Sequence, residues 1–212
     1  MKRIARNFSG IAIASVFLIF VIWFASGLPR TLLLRELSSA PGMLVYADET
    51  TAPPSYRRRA GMIESLPLPT AAREFCYHYC EAQTSTVVLR NLHPEISAEE
   101  IRKLKGMEIV NFLDLQIGEE ANQVIEEIVK KAPNLRILHL QGKVTEQGMK
   151  MICQGFPALE DLYLAGAEIE FPIPEFETGL LKLQGITLEN CKLGRGFSKS
   201  LDCRPDVKIA LQ

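Results

Sequence analysis

The chain has 212 residues, 47% of them hydrophobic, and a formal net charge of -1 at pH 7. This length and composition predict a folded protein with one domain of ordinary size and an extension. Basic residues outnumber acidic ones 8 to 3 in residues 1–60, whereas acidic residues outnumber basic ones 22 to 16 in residues 61–212. The acidic folded part argues against a nucleic-acid-binding protein, because phosphate neutralisation requires clustered Lys and Arg.

The N-terminal segment has a basic start followed by a long apolar run. Three basic residues within the first six positions precede residues 10–28, a stretch of nineteen residues without a charge. As a helix it would measure about 28 Å, which matches the hydrocarbon core of a membrane. The pattern predicts a single-pass membrane anchor at residues 1–28, with the rest of the chain extracytoplasmic. A cleaved signal peptide and secretion stay open as the alternative, since Ala25 and Gly27 are small residues at a possible cleavage site.

Residues 29–69 are predicted to be a tether. Its texture is interrupted by Pro53, Pro54, Pro67 and Pro69, and the segment has room for a continuing helix at Leu32–Leu37 and a short strand at Met43–Tyr46. The basic triplet Arg57–Arg59 could attract anionic lipid headgroups or an acidic partner. A solvated basic turn is the more ordinary interpretation of such a triplet.

The stretch Glu74–Cys80, EFCYHYC, raises the question of a metal or redox site. Its apolar residues recur at helical spacing, and at 100° per residue a helix places Cys76 and Cys80 on one face with His78 roughly opposite. These three side chains could not then bind one metal ion. We therefore predict a capping helix at residues 70–82 without a catalytic or metal role. A disulfide from one of its cysteines to another part of the chain is the alternative.

A repeat with a period of 24 residues is the strongest signal in the chain. The spacing L-x-x-L-x-L predicts strands in which two side chains of each L-x-L point to the buried face. Helices are predicted between the strands, with a capping box at Ser97–Glu100, a helix at Glu119–Lys131 and a cap at Thr145. The repeated positions are Val110, Leu113 and Leu115; Leu135, Leu138 and Leu140; Leu159, Leu162 and Leu164; Leu183, Ile186 and Leu188; and Val207.

The repeat resembles the leucine-rich repeat family, in its ribonuclease-inhibitor-like, cysteine-containing subtype, over roughly residues 83–212. The stretch KVTEQGMKMICQGFPALEDLYL carries the typical V-T-x-x-G helix start, and Cys191 occupies the position of the family's Asn or Cys. The resemblance implies an α/β solenoid at residues 70–212, with parallel strands on the concave side and helices on the convex side. It also implies protein binding as the usual role. The segment EIEFPIPEFETG departs from the pattern, since two prolines replace a clean helix.

The two C-terminal cysteines are twelve residues apart, at Cys191 and Cys203. A disulfide that caps the C-terminal end is conceivable at this spacing, but both positions also suit buried free thiols. Neither interpretation requires catalysis.

The side chains between the buried leucines form the candidate binding surface. Neighbouring strands lie about 4.8 Å apart, so these side chains are expected to form rows across the sheet. Asp114 beside His139 suggests a general base, but no nucleophile or metal cluster in the sequence completes such a site. We therefore predict neither an enzyme nor a metal or cofactor. The surface comprises Phe112, Asp114, Gln116, Ile137, His139, Gln141, Asp161, Tyr163, Thr187 and Glu189.

Together these patterns predict a membrane-tethered leucine-rich repeat protein that binds or scaffolds a protein partner. An accessory or assembly subunit of a larger membrane complex is the alternative, and a hydrolase or metal enzyme that uses Asp114 with His139, or Cys76 with Cys80, is a third class. The expected contacts are a protein of unknown identity and the membrane through residues 10–28, with no nucleic acid.

Overall fold

A computed structural model describes residues 27–40, 42–47, 69–73, 76, 87–91 and 95–211. The part of the predicted anchor at residues 10–26, the triplet Arg57–Arg59 and Cys80 lie outside the described residues. Membrane attachment, extracytoplasmic location and the boundaries of the anchor and tether therefore stay predictions. Of the predicted capping helix, residues 70–73 and 76 are described and are helical.

The described elements alternate between short strands and helices. The helices are α1 at residues 27–38, α2 Ala98–Lys103, α3 Ala121–Lys131, α4 Glu146–Gly155, α5 Pro174–Thr178 and α6 Arg195–Asp202, with a 3-10 turn at Met107–Ile109. The strands are β1 Met43–Ala47, β2 Val87–Asn91, β3 Phe112–Gln116, β4 Ile137–Gln141, β5 Asp161–Ala165, β6 Glu168–Ile169, β7 Gly185–Glu189, β8 Lys192–Leu193 and β9 Lys208–Leu211.

Seven of the strands form one mostly parallel sheet in the order β1-β2-β3-β4-β5-β7-β9. Every neighbouring pair from β2 to β9 is parallel, whereas β1 pairs antiparallel with β2. Strands β6 and β8 form a separate two-stranded parallel sheet beside the main one. The register aligns the repeated leucines of neighbouring strands, since Leu138 lies opposite both Leu113 and Leu162.

The hydrophobic core lies between one face of the sheet and a layer of helices. The L-x-L residues of each strand point into it, and Leu138 and Leu140 are fully buried. Helix α3 covers them with an apolar stripe at i, i+1 and i+4, formed by Val124, Ile125 and Ile128. Successive helices from α2 to α6 pack side by side in chain order. On the opposite face, the residues of β4, β5, β7 and β9 are half buried or exposed, whereas Val88 and Asp114 at the β2–β3 end are buried.

Two predicted caps have different outcomes. The capping box is present, because the Ser97 hydroxyl accepts from the Glu100 amide at 3.3 Å and the Glu100 carboxylate accepts from the Ser97 amide at 2.8 Å. Thr145 is the N-cap residue of α4 but makes no capping hydrogen bond with its side chain. Its hydroxyl donates instead to Asn122 Oδ1 at 3.0 Å, which ties α4 to α3.

The predicted fold class, an α/β leucine-rich repeat solenoid with an N-terminal transmembrane helix, is wrong. The described residues form an α/β domain on a mostly parallel seven-stranded sheet, and one edge of that sheet is an antiparallel strand from outside the repeat. None of the described helices has both the length and the apolar character that a membrane span requires. Helix α1 carries charges at Arg30, Arg35 and Glu36, and it buries Leu34 and Leu37 in the core.

Hydrogen bonds from Arg204 stabilise the region between β5 and β9. The prolines restrict the local helix to the five residues of α5, and Arg204 satisfies carbonyls at its end. The Arg204 guanidinium is buried and donates to the carbonyl of Phe176 at 3.1 Å and to that of Leu180 at 3.2 Å. It also forms an ion pair with Asp206 at 2.9 Å.

The cysteines of the C-terminal region are free thiols. Cys191 and Cys203 are unbridged, so the conceivable disulfide between them is not formed. The Cys191 thiol lies 3.3 Å from the carbonyl of Glu189 and 3.4 Å from that of Leu164, where it can donate to backbone oxygen. Cys153 is buried, which raises the pKa of its thiol to about 12.

Candidate functional site

The ten residues predicted to form a surface lie in three rows on the open face of the sheet. The parallel register aligns the strands, so that equivalent positions of successive units become neighbours. The central row is Asp114, His139, Tyr163 and Thr187; one flanking row is Phe112, Ile137, Asp161 and Gly185; the other is Gln116, Gln141, Ala165 and Glu189. We call these three rows the open-face surface.

Asp114 is engaged by a residue that the sequence analysis missed. Arg90 in β2 lies opposite Asp114 in the register, and its Nε donates to Asp114 Oδ2 at 2.6 Å. Asp114 is buried, whereas the side chain of Arg90 is half exposed. The stretch VVLRNL, an irregular copy of the repeat, contained the signal, because alignment of its Leu89 with Leu113 places Arg90 beside Asp114.

His139 belongs to a row of rings instead of an acid-base pair. Its ring packs against the Phe112 ring in a T-shaped arrangement at a centroid distance of 4.7 Å and against the Tyr163 ring at 5.2 Å. Among the described residues, no hydrogen bond joins His139 to Asp114. The contacts hold the imidazole in place by aromatic packing.

Burial lowers the pKa of His139, and the positive charge of Arg90 acts in the same direction. Asp114 and Asp161 oppose the shift, but desolvation is the larger cause. The imidazole is therefore neutral at pH 7. Protonation as the pH falls disfavours the folded state, because the unfolded chain binds that proton more readily.

We expect His139 to titrate below its ordinary pKa of 6.5 in the folded protein. Two-dimensional NMR of the imidazole between pH 4.5 and 8 measures this midpoint directly. Replacing Arg90 with glutamine should move the midpoint upward, since that change removes a nearby positive charge. A wild-type midpoint at or above 6.5 would contradict the described environment of the ring.

Tyr163 ends the row of rings with a charge-assisted hydrogen bond. Its hydroxyl donates to Glu189 Oε2, one strand away on the diagonal. This bond, together with desolvation and the negative charge of Glu189, raises the pKa of Tyr163 to about 12. Tyr163 therefore keeps its proton and is a fixed donor at neutral pH.

The arrangement differs from that of a hydrolytic or metal site. The Asp114 carboxylate that a His-Asp base would need is paired with Arg90. Within the described ranges, no group of three His, Cys, Asp or Glu side chains could hold a metal ion. The predicted absence of an enzyme activity and of a cofactor stays a prediction.

A cavity of about 490 Å³ lies beside the open-face surface, where β3 to β5 begin. Its lining includes Asn111, Asn134 and Lys182, together with Arg136 and Glu160. Arg136 forms two hydrogen bonds with Glu160, at 2.9 and 2.6 Å, so the charges of that pair are satisfied within the chain. None of the ten open-face residues predicted from the sequence lines this cavity.

No protein-family model and no curated protein matches the chain. The resemblance to the leucine-rich repeat family therefore stays a prediction from the repeated residues.

Proposed function

We propose that the protein is a binding or scaffolding module that contacts a protein partner through its open-face surface. The observation that carries this proposal is the row of three packed rings, Phe112, His139 and Tyr163, half buried on the sheet face opposite the hydrophobic core. Aromatic side chains are enriched in protein interfaces because they bury a large area with little loss of conformational freedom.

The surroundings of the rings also suit a protein partner. Gln116 and Gln141 are exposed beside the row and offer amide groups for hydrogen bonds at the rim. The backbone beneath is a five-residue strand in each unit, paired on both sides, which fixes the positions of the rings. A partner would therefore meet a preformed surface and avoid part of the entropic cost of binding.

Site-specific photo-crosslinking in cells tests the proposal. A photoreactive phenylalanine analogue at Gln141 should give a discrete adduct with one protein. The same analogue at Gln123, an exposed glutamine on the helical side of the sheet, is the matched control and should give no such adduct. We also expect His139→Ala or Tyr163→Ala to abolish the Gln141 adduct.

Two results would contradict the proposed function. Adducts that form equally at Gln123 and Gln141 would show that the partner does not use the open face. An adduct at Gln141 that persists in both alanine variants would show that the row of rings does not contribute to binding.

A further inference from the structure

The open-face surface has a step between β5 and β7. Ile137, His139 and Tyr163 on one side are large, whereas Gly185 and Thr187 on the other side are small. Ala165 precedes the step, and Ala210 of β9 lies opposite Thr187 and is exposed. This difference in side-chain size lowers the surface over Gly185 and Thr187 beside Tyr163, and we call that stretch the depression.

Gly185 keeps this depression open beside Asp161. Gly185 is not one of the described glycines with a left-handed backbone conformation, so its backbone conformation alone does not require a glycine. A Cβ atom at this position would lie 3.1 Å from Asp161 Oδ1, closer than ordinary van der Waals contact. Any larger side chain would occupy the space next to the carboxylate.

Two carboxylates without a cationic partner flank the depression. Asp161 is opposite Gly185, and Glu189 is two residues beyond Thr187. Within the described part of the chain, no Lys or Arg nitrogen lies within 4 Å of either carboxylate. By contrast, Arg90 pairs with Asp114. Glu168, on the neighbouring small sheet, lies 2.9 Å from Lys143 and 2.7 Å from Lys192.

The next basic residue along the same row forms no ion pair with Asp161 within the described part of the chain. Lys208 lies opposite Gly185 on the far strand, β9. Two strand spacings separate it from Asp161, a backbone distance of about 9.6 Å. Glu189 accepts a hydrogen bond from the Tyr163 hydroxyl, which brings no positive charge.

We propose that this depression receives a Lys or Arg side chain of the protein partner. The proposal rests on the protein-binding function above and names the chemistry of the contact. The aliphatic stem of the basic side chain would lie over Gly185 and Thr187 against the Tyr163 ring, which favours a nearby cation. Its charged end would reach Asp161 or Glu189, where charge-assisted hydrogen bonds are strong.

Selection from a phage-displayed library of random 12-residue peptides tests the proposal on the full-length chain. Peptides that bind the wild type are expected to be enriched in Lys and Arg relative to the unselected library. Their affinities, measured by fluorescence polarisation, should fall about tenfold or more for Asp161→Asn and for Glu189→Gln, as expected for the loss of one charged hydrogen bond.

Two further variants separate charge from shape. Gly185→Val should weaken the same peptides comparably, because it fills the depression and keeps both carboxylates. Glu177→Gln, at an exposed position on α5 away from the open face, is the matched control and should leave affinity unchanged. Unchanged thermal midpoints establish that each variant is folded.

The outcomes distinguish this inference from the function on which it rests. Selected peptides that need His139 and Tyr163 but show no excess of Lys or Arg would overturn the inference and retain the binding face. Basic peptides that bind Asp161→Asn and Glu189→Gln as tightly as the wild type would also overturn it. Peptides unaffected by His139→Ala, Tyr163→Ala and both carboxylate changes would contradict the binding face itself.

Discussion

Replacing Arg204 with methionine is expected to lower the free energy of unfolding by about 2–4 kcal/mol. Arg204 is only 7% exposed, and its guanidinium donates to the carbonyls of Phe176 and Leu180, at 3.1 and 3.2 Å. Methionine fills a similar volume but leaves both buried oxygens without these donors. The cost follows from the lost hydrogen bonds and not from the Asp206 ion pair, since the side chain of Asp206 is 60% exposed.

Urea unfolding followed by circular dichroism measures the effect of Arg204→Met. The matched control is Arg195→Met, because Arg195 is an exposed arginine in α6 and should change stability by no more than about 0.5 kcal/mol. Arg204→Lys should give an intermediate loss, since one ammonium group cannot reproduce the directions of the guanidinium donors. Equal stabilities of the two methionine variants would contradict the assigned role of Arg204.

Replacing Leu138 with alanine is expected to cost about 2–5 kcal/mol of stability. Leu138 is fully buried in β4, between Leu113 and Leu162 of the adjacent strands. The strands are held at fixed spacing by their ladders, so the sheet cannot close around the lost methyl groups and a cavity should remain. The loss therefore combines lower hydrophobic burial with unfilled volume.

The matched control for Leu138→Ala is Leu181→Ala. The same atoms are removed there, but Leu181 is 78% exposed and its truncation should change stability by no more than about 0.5 kcal/mol. Both free energies come from urea titrations, with an unchanged dependence on urea as the check that unfolding stays two-state. A loss below about 1 kcal/mol for Leu138→Ala would be inconsistent with a closely packed core.

The spacing of the leucines was sufficient to predict which strand residues share a face. Because the period is 24 residues in most units, Leu138, Leu162 and Ile186 align, and His139, Tyr163 and Thr187 align with them. This predicts the rows of the open-face surface without any knowledge of individual contacts.

Other features could not be predicted because their partners are distant or unusual for the residue type. Strand β1 pairs with β2 in the antiparallel direction, and no local pattern specifies such a partner. Arg204 resembles an ordinary surface arginine in the sequence, since its buried acceptors are backbone carbonyls. The hydrogen bond from Tyr163 to Glu189 joins diagonal neighbours on adjacent strands, and it forms only in particular side-chain conformations.

The two kinds of strand pairing in the sheet have a consequence for the order of folding. Leu138 pairs with Leu162 only 24 positions later, whereas Ala47 pairs with Val87 across 39 intervening residues. Contacts between nearby segments form with a smaller loss of chain entropy and dominate fast folding. The parallel part can therefore grow outward by one neighbouring unit at a time, while β1 joins its edge by a longer closure.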